Sequence, residues 1–191
     1  MSDPRVVVIT VPGLRGHVED HWQTHLAAGR ADVIPVPPLG RDNPSLAERV
    51  AAIQRTVVRA RAAVILVAHS AGVISTVHWA AQHHGPVRAA LLATPPDLGA
   101  PLPPEYPSLA ELRRHGWLPI PRHRLPFPSI VAASSNDSLG DPERVRALAD
   151  GWGSQWRELG AVGHLNPASG YGNWPEADVL IDELIGTTAF S

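Results

Sequence analysis

The sequence predicts a doubly wound α/β fold, on three observations. Short apolar runs recur along the 191 residues, at 5–11, 31–36, 62–68, 88–93, 129–134 and, less clearly patterned, 154–159. The runs are continuously apolar and do not alternate, as befits strands covered on both faces of a parallel sheet. Segments with helical spacing lie between them, and strands alternating with helices at this interval build βαβ units. The length suits one domain over 1–191, large enough to bury about 70% of the surface of the unfolded chain.

The elements follow in order. The first run, Arg5-Val6-Val7-Val8-Ile9-Thr10-Val11, ends in the turn Pro12-Gly13-Leu14-Arg15-Gly16. After the second run, Asn43-Pro44 signals a helix start, and Leu46, Val50, Ile53 and Val57 then recur at steps of four, three and four. The third run ends in Ala68-His69-Ser70-Ala71-Gly72, and Val73, Ile74 and Val77 follow at helical spacing. Asp141-Pro142 opens a helix that turns Val145 and Leu148 inward, with Asp141 as its N-cap and Gly151 closing it. Pro175 opens the last helix, carrying Val179, Leu180, Leu184 and Ile185. One stretch breaks the rhythm. Over 95–128 prolines are dense, and Leu109-Ala110-Glu111-Leu112 has room only for a short helix. A loop of this length inside a compact domain is usually functional, which makes it a candidate small cap or pocket wall; the alternative is a rigid surface excursion with no role.

Composition narrows the function. The formal net charge is −2, and the sixteen basic residues are all arginine, scattered without a basic run. No nucleic-acid partner is expected from such a distribution. Cysteine is absent, which excludes disulfides, thiolate metal sites and cysteine catalysis. The apolar run at 5–11 is too short for a signal or membrane segment and has no basic leader, so the expectation is a cytoplasmic protein with no membrane partner.

The turns carry the chemistry. Ser70 sits between small residues, Ala68 two before it and Gly72 two after, where an apolar strand meets a helix. That is how a strained turn that pushes one serine outward is written, with alanine standing in for the first glycine of G-x-S-x-G. A serine that merely caps the helix would look the same locally. In an open parallel sheet, ligands sit beyond the carboxyl ends of the strands, where strand order reverses. With right-handed crossovers the order is 2-1-3-4-5-6, which puts the crevice between strands one and three. Strand five delivers Ser134-Ser135-Asn136-Asp137-Ser138 to that edge, and strand six delivers Gly160-Ala161-Val162-Gly163-His164-Leu165-Asn166. A serine hydroxyl needs a base to remove its proton, and the base needs a carboxylate to fix its tautomer. Ser70, Asp137 and His164 supply these in chain order, each just after a predicted strand.

Other assignments compete less well. Asp97 follows strand four and could be the acid, but it enters the proline-rich excursion. Among the histidines, His78, His83 and His84 fall on the helix after Ser70, His115 and His123 lie in the excursion, and His69 is beside Ser70, where neighbouring side chains point apart. The negative charge of a tetrahedral intermediate calls for an oxyanion hole, for which the backbone N–H of Ala71 and that of Leu14 are the candidates. His17, His21 and His25 lie at steps of four, with Glu19 and Asp20 nearby, which raises zinc. His17 is expected to precede the helix, and no metal or other cofactor is needed by the serine site.

These residues resemble the small serine hydrolases of the retinoblastoma-binding protein 9 type, within the α/β-hydrolase superfamily. The signatures are His21-Trp22-Gln23, Ala68-His69-Ser70-Ala71-Gly72, Pro95-Pro96-Asp97, Ser135-Asn136-Asp137, and Gly163-His164-Leu165-Asn166 through Ser169-Gly170-Tyr171-Gly172-Asn173-Trp174-Pro175. The resemblance implies a compact α/β-hydrolase fold with a mostly parallel six-stranded sheet, helices on both faces and no large lid domain. It implies Ser70, Asp137 and His164 as the triad, and Trp22 and Trp174 near the active-site mouth; ordinary core aromatics are the other reading of these two. His21 and His69 complete the candidate substrate-binding residues. A Leu-x-Cys-x-Glu motif cannot exist in a chain without cysteine, so no retinoblastoma-type partner is implied.

The expected activity is acyl transfer to Ser70 from a small ester, since long lipids call for a large lid. An amidase or aminopeptidase with the same triad is the alternative enzyme, and a hydrolase-fold interaction protein with little activity is the alternative outside enzymes.

Overall fold

Helices flank a six-stranded parallel sheet in the order β2-β1-β3-β4-β5-β6. The computed structural model describes residues 6–40 and 42–188; Arg5, the first residue of the first predicted strand, lies outside them. The strands are β1 (Val6–Val11), β2 (Val33–Pro35), β3 (Ala63–His69), β4 (Val87–Ala93), β5 (Ser129–Ala133) and β6 (Gln155–Glu158). The helices are α1 (Trp22–Gly29), α2 (Leu46–Ala60), α3 (Ala71–Gln82), α4 (Leu109–Arg114), α5 (Pro142–Trp152) and α6 (Glu176–Thr188).

The continuous apolarity of the inner strands has a direct cause. In β3, Val64, Leu66 and Ala68 pack into the core under α2, α3 and α5, while Ile65 and Val67 pack into a second core under α1 and α6. Both faces are covered, so the strand stays apolar from Ala63 to Ala68 and turns polar only at its last residue, His69. The edge strand β6 is partly exposed along its length, which accounts for its weaker pattern.

Helix boundaries follow local chemistry. Asn43-Pro44 marks the approach to α2, but the cap is Ser45, whose Oγ accepts from Glu48 N at 3.3 Å. Asp141 caps α5 by accepting from Arg144 N at 3.1 Å, with Pro142 in the first turn. Each such cap is worth about 1 kcal/mol. Gly151 does not close α5, contrary to expectation. The helix continues to Trp152, and Gly153 at φ 68° ends it. A side chain on Gly151 would stand 2.7 Å from the carbonyl oxygen of Arg122, so this glycine admits the excursion against the helix. In α6 the inward residues are Ala177, Leu180, Ile181 and Leu184, whereas Val179 is 65% exposed. Successive helix positions are about 100° apart, which carries 179 off the stripe that 177, 180, 181 and 184 share.

The proline-rich excursion is folded down onto α2 and α3. Leu112, Trp117, Ile120, Leu125 and Phe127 are buried in the first core. Each contributes about 1.5–3 kcal/mol of apolar burial. Trp117 donates its indole N–H to the carbonyl of Pro44 at 2.7 Å, and its own carbonyl accepts from His78 Nε2 at 3.2 Å. Among the described residues no large lid stands over the sheet, and none of the helices is long and apolar enough to cross a membrane.

Candidate active site

Ser70 stands between β3 and α3 with φ 56° and ψ −126°, a conformation that L-residues avoid at a cost of about 1–3 kcal/mol. Its N–H bonds to Ala93 O at 3.0 Å and its carbonyl accepts from Val73 N at 2.8 Å, so the neighbouring strand and the new helix hold the strained turn. Its hydroxyl caps nothing in α3. Two residues on, a side chain at Gly72 would collide with the carbonyl oxygens of Val11 and Pro12. That position must be glycine for the helix to start against the end of β1. Two residues back, Ala68 pairs with Val11 and Leu92 inside the sheet, and its methyl group is accommodated in the core. The first glycine of the usual motif is therefore dispensable here.

The loops after β5 and β6 bring Asp137 and His164 to this serine. His164 Nε2 lies 2.8 Å from Ser70 Oγ, and His164 Nδ1 lies 2.8 and 3.0 Å from the two carboxylate oxygens of Asp137. A carboxylate only accepts, so Nδ1 carries the proton and Nε2 presents its lone pair to the serine hydroxyl. Asp137 also accepts from Leu139 N at 2.9 Å. The side chains of His164 and Asp137 are 8% and 3% exposed, which keeps bulk water from competing for these bonds.

Every backbone group of His164 is held as well. Its N–H donates to Ser169 Oγ at 3.0 Å, and that hydroxyl donates in turn to Asn166 Oδ1 at 2.9 Å. Its carbonyl accepts from His69 Nε2 at 2.9 Å and from Thr94 Oγ1 at 3.4 Å. One residue earlier, Gly163 N donates to Asn136 Oδ1 at 2.7 Å, tying the histidine loop to the carboxylate loop. At the strand ends, Gln23 Nε2 donates to Val11 O at 3.2 Å and Val67 O at 2.9 Å, bridging β1 and β3 below the serine. None of these supporting roles is readable from spacing. Gln23, Asn136 and Ser169 lie in quoted signatures, whereas only the positive φ of 41° distinguishes Thr94, and that is visible only in the fold.

A cavity of about 140 Å³ opens beside Ser70. Leu14, Ala71, His21 and His69 border it, whereas Trp22 and Trp174 do not. The two tryptophans are buried in the second core, edge to face with centroids 4.9 Å apart, so the expected position at the mouth is corrected to one behind it. His21 caps α1, its Nδ1 accepting from Gln23 N at 3.2 Å; Trp22, one step around the helix, turns toward the sheet. The ring of His69 lies between those of His21 and His164, with centroids 4.6 and 5.0 Å away. Burial pushes the His69 imidazole well below its ordinary value, and it lowers His21 to about 4, the nearby rings of His164, His17 and His25 adding to the shift.

The remaining candidates lie elsewhere. Asp97 accepts from Gly99 N at 2.5 Å and Asp141 N at 2.7 Å, and it faces Arg144 at 3.6 Å; it anchors the start of the excursion and makes no bond to His164. The three histidines at steps of four do not share a helix face. His17 precedes α1 and donates to Val36 O at 2.8 Å, His21 is the cap, and only His25 lies within the helix. No group of three or more metal-ligating side chains converges among the described residues.

A family model described as serine hydrolase matches residues 8–183. Among solved structures, a YdeN-like hydrolase from Pectobacterium atrosepticum has a TM-score of 0.80 at 25% identity, covering 94% of this chain and 90% of that one. The ydeN gene product from B. subtilis gives 0.68 at 19% identity, with coverages of 95% and 99%. Est1E from Butyrivibrio proteoclasticus, solved with ferulic acid bound, gives 0.70 at 13% identity, with coverages of 98% and 90%. No curated protein matches the chain. The neighbours below a quarter identity share the fold with this chain, which is that of the α/β-hydrolase superfamily.

Proposed function

The chain belongs to the serine hydrolase family, and from that premise we propose that it hydrolyses small carboxylic esters through an acyl-enzyme on Ser70. The observation that carries this reading is the single imidazole of His164, bonded to Ser70 Oγ on one side and to Asp137 on the other.

In the proposed mechanism Ser70 Oγ attacks the ester carbonyl carbon while His164 Nε2 takes the hydroxyl proton. Asp137 keeps the imidazole in the tautomer that can accept it and stabilises the imidazolium that forms. The carbonyl oxygen gains a full negative charge, and the N–H groups of Ala71, at the start of α3, and Leu14 receive it. Collapse of this intermediate breaks the bond to the alcohol, which leaves with the proton from His164. A water then enters, gives its proton to His164 and attacks the acyl carbon; the acid departs and Ser70 regains its hydrogen. Small substrates suit a site without a large lid. No metal or cofactor takes part.

The signatures at 21–23 and 163–175 support assignment to the retinoblastoma-binding protein 9 type, without a pocket-protein partner. A fluorophosphonate probe tests the chemistry. It is expected to label the wild type and not Ser70→Ala, with p-nitrophenyl butyrate turnover lost in parallel. Labelling that persists in Ser70→Ala would remove Ser70 as the nucleophile, and a folded wild type that neither labels nor turns over would return the chain to the reading of an interaction protein.

A further inference from the structure

The walls of the cavity say which acyl group it takes, given Ser70 as the nucleophile. Its apolar wall is built by Leu98, Leu102, Leu112 and Trp117 from the excursion, Ile74 from α3 and Leu14 from the loop after β1. A cavity of about 150 Å³ with aliphatic and aromatic walls holds a benzene molecule, and the volume here, about 140 Å³, is close to that. Among the described residues neither aspartate nor glutamate lines it, and Asp137 is screened behind His164. Among the described residues the one permanently charged side chain on the wall is Arg15, exposed at the rim with its guanidinium 5.9 Å from the centre of the Tyr106 ring. The imidazoles of His21 and His69 are neutral at pH 7, since burial depresses both.

We infer that the site takes an uncharged acyl group about the size of a benzene ring, such as phenylacetyl or hexanoyl, and rejects α-aminoacyl groups. An ammonium carried into this space would lose its water and meet no carboxylate, with an arginine at the entrance. The excursion is then the specificity element of the fold. It supplies the far wall that sets the length of the acyl group, while α3 and the loop after β1 supply the near one. Each methylene that enters apolar surface is worth about a fourfold gain in binding to the transition state, so preference should climb from acetyl until the cavity is full and then fall.

The experiment compares kcat/KM for p-nitrophenyl acetate, butyrate, hexanoate, phenylacetate, 3-phenylpropanoate and decanoate with that for the phenylalanine ester. The last differs from 3-phenylpropanoate by its ammonium group. The expected result is a rise of about tenfold or more from acetate to hexanoate or phenylacetate, and a fall to decanoate. The phenylalanine ester should be at least a hundredfold poorer than 3-phenylpropanoate. Leu102→Trp, on the half-buried part of the wall, should shift the ratio of hexanoate to acetate at least tenfold toward acetate; Leu112→Phe is the second variant, read in the same way. A flat profile, a preference for the phenylalanine ester, or ratios unmoved in whichever variant folds would overturn the inference while leaving the nucleophile in place. Failure of the fluorophosphonate to label Ser70 would instead bring down the reading on which it rests.

Discussion

His69 Nε2 lies 2.9 Å from the main-chain oxygen of His164, so the residue preceding Ser70 holds the backbone of the histidine that faces that serine. The bond requires a proton on Nε2, and burial keeps the ring neutral. With its donor spent on His164, His69 is expected to act by positioning that histidine more than by touching substrate, although it borders the cavity.

Replacing His69 separates these roles. His69→Leu leaves the His164 carbonyl with only the longer bond from Thr94 at 3.4 Å. A small displacement of the imidazole then lowers kcat by about 10- to 100-fold with little change in KM. His69→Gln restores a donor and recovers part of kcat. Steady-state kinetics with thermal melts as a fold control decide it: a change confined to KM would make His69 a substrate-binding residue.

Asp137→Asn is expected to lower kcat by about 10⁴ while leaving the fold intact. The amide can still accept from Leu139 N, as the carboxylate does at 2.9 Å. Its NH₂ group facing Nδ1, however, favours the tautomer with the proton on Nε2, which has no lone pair for the serine. Retention of more than a tenth of wild-type kcat at an unchanged melting temperature would remove Asp137 from the mechanism.

Asp97 should show the opposite signature. Its buried carboxylate satisfies the N–H groups of Gly99 and Asp141, and Asp97→Ala would leave both without an acceptor. Arg144 is half exposed, so its ion pair adds little. The loss is about 1–3 kcal/mol, a fall in melting temperature of about 3–10 °C for a chain of this size. At 25 °C, kcat/KM is expected to stay within about threefold of wild type. Inactivation without loss of stability would reinstate Asp97 as a catalytic acid.

These contrasts also mark where the sequence is informative. Ser70, Asp137 and His164 are legible because each follows a strand, and strand ends in a parallel sheet share one edge whatever the details of packing. Trp22 and Trp174 are not, because the orientation of one helix turn decides which of His21 and Trp22 meets the cavity. Leu98, Leu112 and Trp117 are hidden for a similar reason. Nothing in a proline-rich stretch states which of its faces will settle on α3. Gly151 reads as a helix stop because glycine usually is one; here the carbonyl of Arg122 occupies the space of its missing side chain.

The buried histidines make folding sensitive to acid. His21 titrates at about 4 in the folded protein against 6.5 for an ordinary histidine, chiefly because it is desolvated. Between these values the unfolded chain binds a proton that the folded one refuses, so stability is intact above about pH 6.5 and declines as pH falls toward 4. His21 alone accounts for about 3 kcal/mol of that decline, and His69 acts in the same direction. His21→Asn keeps an acceptor for Gln23 N and removes the titration, since asparagine is also a good N-cap. Urea unfolding at pH 7, 5.5 and 4.5 should show the wild type losing stability steeply and the variant less so, by about one proton's slope. Parallel curves for the two proteins would mean that His21 is as easily protonated in the folded chain as in the unfolded one, and that its burial at the start of α1 carries no electrostatic cost.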